Sequence, residues 1–171
     1  GTFTTGTNTI ASTISWATGA GRYFDVGGGA NSALVLSGSV SGGTLNKNGT
    51  GVLVLSGNNT FTITTINNGV VSVGTINNGG VAGSLGAGSN ASTNLNIISG
   101  GTLRYTGATA TTDRGFTVNS KANAVDVSDA AASLTFTGAV ADYAAGGSLA
   151  KAGPGTLVLG GANTYTGTTT I

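Results

Sequence analysis

The chain has 171 residues, of which 32 are glycine and only 6% are charged, giving a formal net charge of +1. Six scattered Lys and Arg exclude a nucleic-acid footprint, and no apolar run reaches the length of a membrane-spanning helix. The absence of cysteine and histidine excludes a disulfide framework, a thiolate metal site and a Ser-His-Asp triad.

Polarity is carried instead by 29 Thr, 16 Ser and 16 Asn. Disorder needs low hydrophobicity or high net charge, and neither holds. Glycine without a three-residue period excludes collagen. Glycine, threonine and asparagine around short Val/Leu/Ile runs favour short strands and tight turns.

In chain order, residues 1–21 resemble nothing else in the sequence. Strands are expected within VLVLSG (52–57), TFTITT (60–65), VVSVG (70–74), NLNIIS (94–99), GTLRYTG (101–107), FTV (116–118), AVDV (124–127), LTFTG (134–138), TLVLGG (156–161) and TYTGTT (164–169). Asn-Gly pairs at 48, 68 and 78 and Gly-Gly pairs at 42, 79, 100, 146 and 160 separate them. Gly153-Pro154-Gly155 reads as a type II turn with φ > 0 at Gly155, and Gly51 holds that place earlier in the chain. The best helix candidate, DAAASL (129–134), is too short to stand alone.

One phrase is spelled twice, 104 residues apart. From Gly42 to Thr62 and from Gly146 to Thr166, 13 of 21 positions are identical. The shared positions are Leu45, Lys47, Gly49, Gly51, Leu53, Leu55, Gly57, Asn59 and Thr60, matched by Leu149, Lys151, Gly153, Gly155, Leu157, Leu159, Gly161, Asn163 and Thr164. Phe61 is matched by Tyr165. Upstream, SALVLSGSVS (32–41) matches SLTFTGAV (133–140), and Arg22-x-Phe24-x-Val26 matches Arg114-x-Phe116-x-Val118. Two long units follow, about 22–66 and 114–171, with linking rungs over 67–113 and a divergent part over 1–21. A fixed order of short strands, repeated, favours a stacked coil over a sandwich or barrel. The expected fold is all-β, a single parallel β-solenoid over 1–171 of about eight rungs, taking about 20 residues each. Leu53, Leu55, Leu157 and Leu159 point inward, Asn59 and Asn163 sit at corners, and Gly51 and Gly155 sit in turns. The chain begins with glycine and stops inside its own phrase, so the expectation is a piece of a longer protein.

The phrase L-x-K-x-G-x-G-x-L-x-L-x-G-x-N-T-[YF]-T, at Leu45–Thr62 and Leu149–Thr166, resembles the autotransporter-associated β-strand repeat of bacterial autotransporter passengers and giant repetitive surface proteins. GGTLRYTGATATTDRGFTV (100–118) resembles linking sequence between such repeats. The resemblance implies a right-handed parallel β-helix, export, and a structural or adhesive role at the bacterial cell surface or outside the cell.

Few residues invite chemistry. Lys47 and Lys151 read as solvated charges beside an edge-prone turn, or as a cationic row for an anionic glycan. Asp113-Arg114 reads as a local ion pair or corner contact. The acids are Asp25, Asp113, Asp126, Asp129 and Asp142, too sparse for the opposed carboxylates of glycoside hydrolysis or for a calcium cage. GSLGAGSN (83–90) lacks the Lys-Ser/Thr of a phosphate loop. Trp16 and Tyr23 read as core or end-capping residues, or as a sugar platform. The sequons at Asn48, Asn58 and Asn90 read as incidental.

The expected function is a secreted or surface stalk or fibre segment, not an enzyme, able to stack end to end into filaments. The alternative is an adhesin-like module with Trp16, Tyr23 or Tyr105 exposed in a row. A polysaccharide-cleaving β-helix enzyme stands third. No cofactor or metal is expected. The expected partners are copies of the chain or neighbouring repeats, with surface glycans as the other class, no nucleic acid and no direct membrane insertion.

Overall fold

A computed structural model of the chain describes residues 6–171. The chain coils, and each turn crosses three faces. Turn one is β1 (Gly6–Ile10), β2 (Ile14–Ser15) and β3 (Gly21–Asp25); turn two is β4 (Ser32–Leu36), β5 (Val40–Ser41) and β6 (Thr44–Asn48). Turn three holds β7 (Val52–Leu55) and β8 (Ile63–Ile66), and turn four β9 (Val70–Val73) and β10 (Leu95–Ile97). Turn five is β11 (Thr102–Tyr105), β12 (Ala110–Thr112) and β13 (Phe116–Val118); turn six is β14 (Asn123–Val127), β15 (Ser133–Phe136) and β16 (Val140–Asp142). Turn seven holds β17 (Leu149–Ala152) and β18 (Thr156–Leu159), and β19 (Thr169–Thr170) opens the next.

All strand pairs among the described residues are parallel, each strand lying on its counterpart one turn away. The first face is an eight-stranded ladder, β1-β4-β7-β9-β11-β14-β17-β19, and the second is six-stranded, β3-β6-β8-β10-β13-β16. The third is split into β2-β5 and β12-β15-β18. About seven turns result, against the eight rungs expected. Turn length varies: Val52 lies under Val70, 18 residues on, whereas Val70 lies under Thr102, 32 residues on.

The long turn explains the split third face. Residues 74–94 cross that face twice. Gly83 and Ala87 bond to Asn59 and Phe61 of the turn before, while the carbonyl of Asn77 accepts from the Thr112 hydroxyl of the turn after. Ile76 and Leu85, one from each pass, are both buried in the core. Within turn four the third face therefore carries two layers where each of the other two faces carries one strand.

Alternation sets the core. Inward residues stack in columns, such as Leu36, Leu55, Val73, Tyr105 and Val127 on the first face. Each fully buried Leu or Val contributes about 1.5–3 kcal/mol. Leu53 and Leu55 are fully buried, whereas Leu157 and Leu159 in the last full turn are half-buried. The expected strands in 60–65 and 164–169 shrink to Ile63–Ile66 and Thr169–Thr170. At those corners an asparagine side chain replaces a backbone partner: Asn59 Oδ1 accepts from Val40 N at 2.8 Å, and Asn163 Oδ1 from Val140 N at 2.9 Å. Residues 129–134 form no helix, since Asp129 Oδ1 accepts from Ala131 N and closes a turn.

The two copies of the phrase lie on different faces. In the first, Leu45 and Lys47 are on the second face and Leu53 and Leu55 on the first. In the second, Leu149 and Lys151 are on the first face and Leu157 and Leu159 on the third. A spacing of 104 residues is thus not a whole number of turns. The local bonds are nonetheless the same: Gly51 N donates to Val26 O at 2.7 Å and Gly155 N to Val127 O at 2.9 Å. The strands beneath the two copies are β3 and β14. The structural match to Phe24-Asp25-Val26 is therefore Val125-Asp126-Val127, not residues 116–118.

The glycines divide two tasks. Positive φ falls at Gly49 (75°) and Gly153 (73°), not at Gly51 and Gly155 as the type II reading expects. Gly51 is required by space, because a Cβ there meets Gly27 O at 2.7 Å and Val26 Cγ1 at 2.8 Å. Gly51→Ala should cost about 1–3 kcal/mol. Gly74→Ala, where the nearest atom is Thr106 Oγ1 at 3.7 Å, should stay within about 0.5 kcal/mol of the parent. Urea unfolding of the two variants checks the contrast.

Candidate functional site

Some polar side chains that the core takes in sit at corners, while Thr65, Asn96 and Thr117 form a bonded row along the second face. Lys47 occupies an inward column between Phe24 and Ile66 and is fully buried, not solvated. Its Leu-x-Lys spacing places it on the same side of the strand as Leu45. The ammonium donates to Asn48 O and Gly49 O, both at 2.7 Å, and to Asn68 O at 3.3 Å on the next turn. Burial pushes its pKa down to about 8, with Asp25 partly offsetting the shift. Lys151 makes the same two local bonds, to Ala152 O at 2.7 Å and Gly153 O at 2.8 Å, and is half-buried in the last full turn. Both lysines are turn caps, which leaves no cationic row on the surface.

Asp113 and Arg114 clasp the doubled third face. Arg114 is buried and donates to four carbonyls: Asn77 at 2.9 Å, Gly86 at 2.8 Å, Gly88 at 3.3 Å and Asn78 at 3.4 Å. Burial lowers its pKa from the ordinary value, Asp113 partly opposing. Asp113 Oδ1 accepts from Gly79 N at 2.7 Å, and Asp113 N donates to Asn78 Oδ1 at 3.1 Å. The pair is a corner contact, both members turned onto residues 77–90. Arg22, its sequence counterpart, is exposed.

The remaining candidates disperse. Trp16 is buried, its Nε1–H donating to Ala20 O at 2.9 Å and its ring 6.3 Å from Phe24. Tyr105 is buried, its hydroxyl donating to Ala108 O at 2.6 Å, and burial raises its pKa. Tyr23 alone of the three is exposed, so no aromatic row forms from them. Asp126 pairs with Arg104 at 2.9 Å. Asp142 accepts from the Thr166 hydroxyl at 2.7 Å and from Thr166 N and Gly147 N, which together hold its carboxyl below the usual range. Among the described residues no group of three or more His, Cys, Asp or Glu is placed to hold a metal ion. Residues 83–90 run along the third face, with Ser84, Leu85 and Gly86 buried, and form no phosphate cradle. Of the phrase positions, Phe61 is fully buried, Tyr165 is half-buried, and Thr60 and Thr164 are exposed.

These features define a repeat-built parallel β-solenoid whose buried polar side chains are all partnered among the described residues. The family model described as passenger-associated-transport-repeat matches residues 45–73 and 149–171, the two stretches that hold the repeated phrase. The adhesin BmaC autotransporter of Brucella suis biovar 1 (strain 1330) is 51% identical over 92 residues, which is 54% of this chain. The match covers 3% of that relative's length. No solved structure matches the chain significantly.

Two outcomes follow from the buried cations. The unfolded chain holds more protons than the folded one between about pH 8 and 10.5 at Lys47, so stability to urea should rise across that window. Lys47→Met should flatten the rise. Arg114→Met should destabilise by about 3 kcal/mol, because the buried Gly86 carbonyl loses its partner and three further carbonyls lose a charged donor. It should also open residues 79–91 to limited proteolysis, read by peptide mapping.

Proposed function

We propose that this segment is a length of cell-surface or extracellular β-solenoid whose work is structural, spacing or presenting other parts of a longer surface protein. The observation that carries this reading is the eight-stranded parallel ladder running through every turn. Each interior strand is bonded on both edges, so the rod is continuous and its backbone is shielded from proteases. The repeat match and the relative's name as an adhesin autotransporter support a surface setting. The partners proposed are neighbouring turns of the same repeat, which offer the matching ladder at the same spacing of about 4.8 Å. A non-enzymatic role fits the five dispersed aspartates, four of which, Asp113, Asp126, Asp129 and Asp142, are committed to structural contacts.

The second reading is adhesive, favoured by the relative's being an adhesin. In this chain it would rest on surface threonine and asparagine with Tyr23 and Tyr143, the exposed tyrosines of the second face. A glycan array and a host-cell binding assay with the intact segment separate the two. The structural reading expects no saturable binding and full resistance to trypsin at 37 °C under native conditions. Saturable binding lost in a Tyr23→Ala or Tyr143→Ala variant would shift the assignment to adhesion.

A further inference from the structure

The three Asn-Gly pairs of this chain sit in different chemical settings. At Asn68-Gly69, the backbone N–H of Gly69 donates to the side-chain Oδ1 of Asn68 at 2.7 Å. The side-chain carbonyl carbon is therefore held beside the nitrogen that follows it, close to a near-attack arrangement. Asn68 is exposed, and its Nδ2 makes no hydrogen bond among the described residues, so the leaving nitrogen faces water. The carbonyl of the 68–69 peptide accepts from the buried Lys47 ammonium at 3.3 Å. A positive charge on that oxygen stabilises the negative charge that spreads onto it when the Gly69 nitrogen loses its proton.

The other two pairs lack this combination. Asn48 is half-buried, and its Oδ1 is engaged by Asn67 Nδ2 at 2.9 Å, turning the side chain toward the next turn. Asn78 is also exposed. However, Gly79 N–H is held by the Asp113 carboxylate at 2.7 Å, and Asn78 Oδ1 accepts from Asp113 N. A carboxylate on that N–H opposes its ionisation.

We propose that Asn68-Gly69 is a self-modification site, at which the asparagine side chain closes onto the Gly69 nitrogen and is converted to aspartate or isoaspartate. The Gly69 nitrogen gives its proton to solvent base and forms a bond to Asn68 Cγ. The Cγ–Nδ2 bond breaks, and Nδ2 leaves as ammonia with a proton from water. Water then opens the five-membered imide at either carbonyl. The net change is one water consumed and one ammonia released, with no oxidant or reductant. The formal charge falls from +1 to 0, and the new carboxylate stands at the corner that buries Lys47. An aspartate product offsets that buried cation. An isoaspartate product adds a methylene to the main chain between β8 and β9, at the junction of the two continuous ladders.

The test ages the intact segment near pH 7, where Lys47 carries its charge, folded and in urea, and maps the three Asn-Gly peptides by mass spectrometry, with isoaspartyl methylation as a second readout. In urea the three sites should react alike. In the folded protein, modification at 68 should exceed that at 48 and 78 by about tenfold or more. Lys47→Met should slow site 68 while leaving site 78 unchanged. Folding that protects 68 as well as it protects 78 would overturn the proposal, as would reaction at 78 ahead of 68. An unchanged rate at 68 in the Lys47 variant would overturn the part assigned to the lysine.

Discussion

The molecule depends on one interaction: backbone hydrogen bonds between parallel strands of successive turns. A strand of four or five residues is too short to be stable alone. Stacked on both sides, it satisfies its N–H and C=O groups and aligns its inward side chains with those above and below. Everything else in the structure either supplies that stack or protects it. The near absence of surface charge fits this design, because threonine and asparagine bond locally to carbonyls and hydroxyls of adjacent turns, as Thr62 does to Gly43 and Asn67 to Asn48.

Corners are where the stack is in danger, since there the chain must leave the ladder. The chain solves each corner with a specific group. Asparagine oxygens take the place of a ladder carbonyl at Val40 and Val140. Asn123, fully buried, donates to four oxygens, those of Asn119, Lys121 and Ser148 among them. Lys47 and Lys151 each gather the carbonyls of the turn that follows them, and Arg114 gathers those of the doubled face. Every buried side-chain nitrogen and oxygen among the described residues has a partner. This matters because an unpaired polar group in such a core costs about 1–3 kcal/mol.

Much of this was legible in the residues. Short apolar runs ended by glycine marked β7, β9, β11 and β18, and the repeated phrase pointed to stacking. The burial of Lys47 was legible too, although its charge argued against it: Leu45-x-Lys47 has the two-residue period of one strand face. Arg114-x-Phe116-x-Val118 carries the same signal. What period alone could not distinguish was Arg114 from Arg22, which has the same spacing. Arg22 lies in the first turn, where no excursion offers it carbonyls.

Local chemistry, then, was determined by sequence: strands, turns, the lack of helix, and which side of each strand is apolar. Those properties depend on neighbours a few residues away. The tertiary structure alone decided which face each strand joins, because a turn takes anywhere from 18 to 32 residues and the count resets at every loop. It also decided that the two copies of one phrase lie a face apart, and that the excursion at 74–94 becomes an extra layer held by one arginine. Those outcomes come from contacts between turns, which no local pattern encodes.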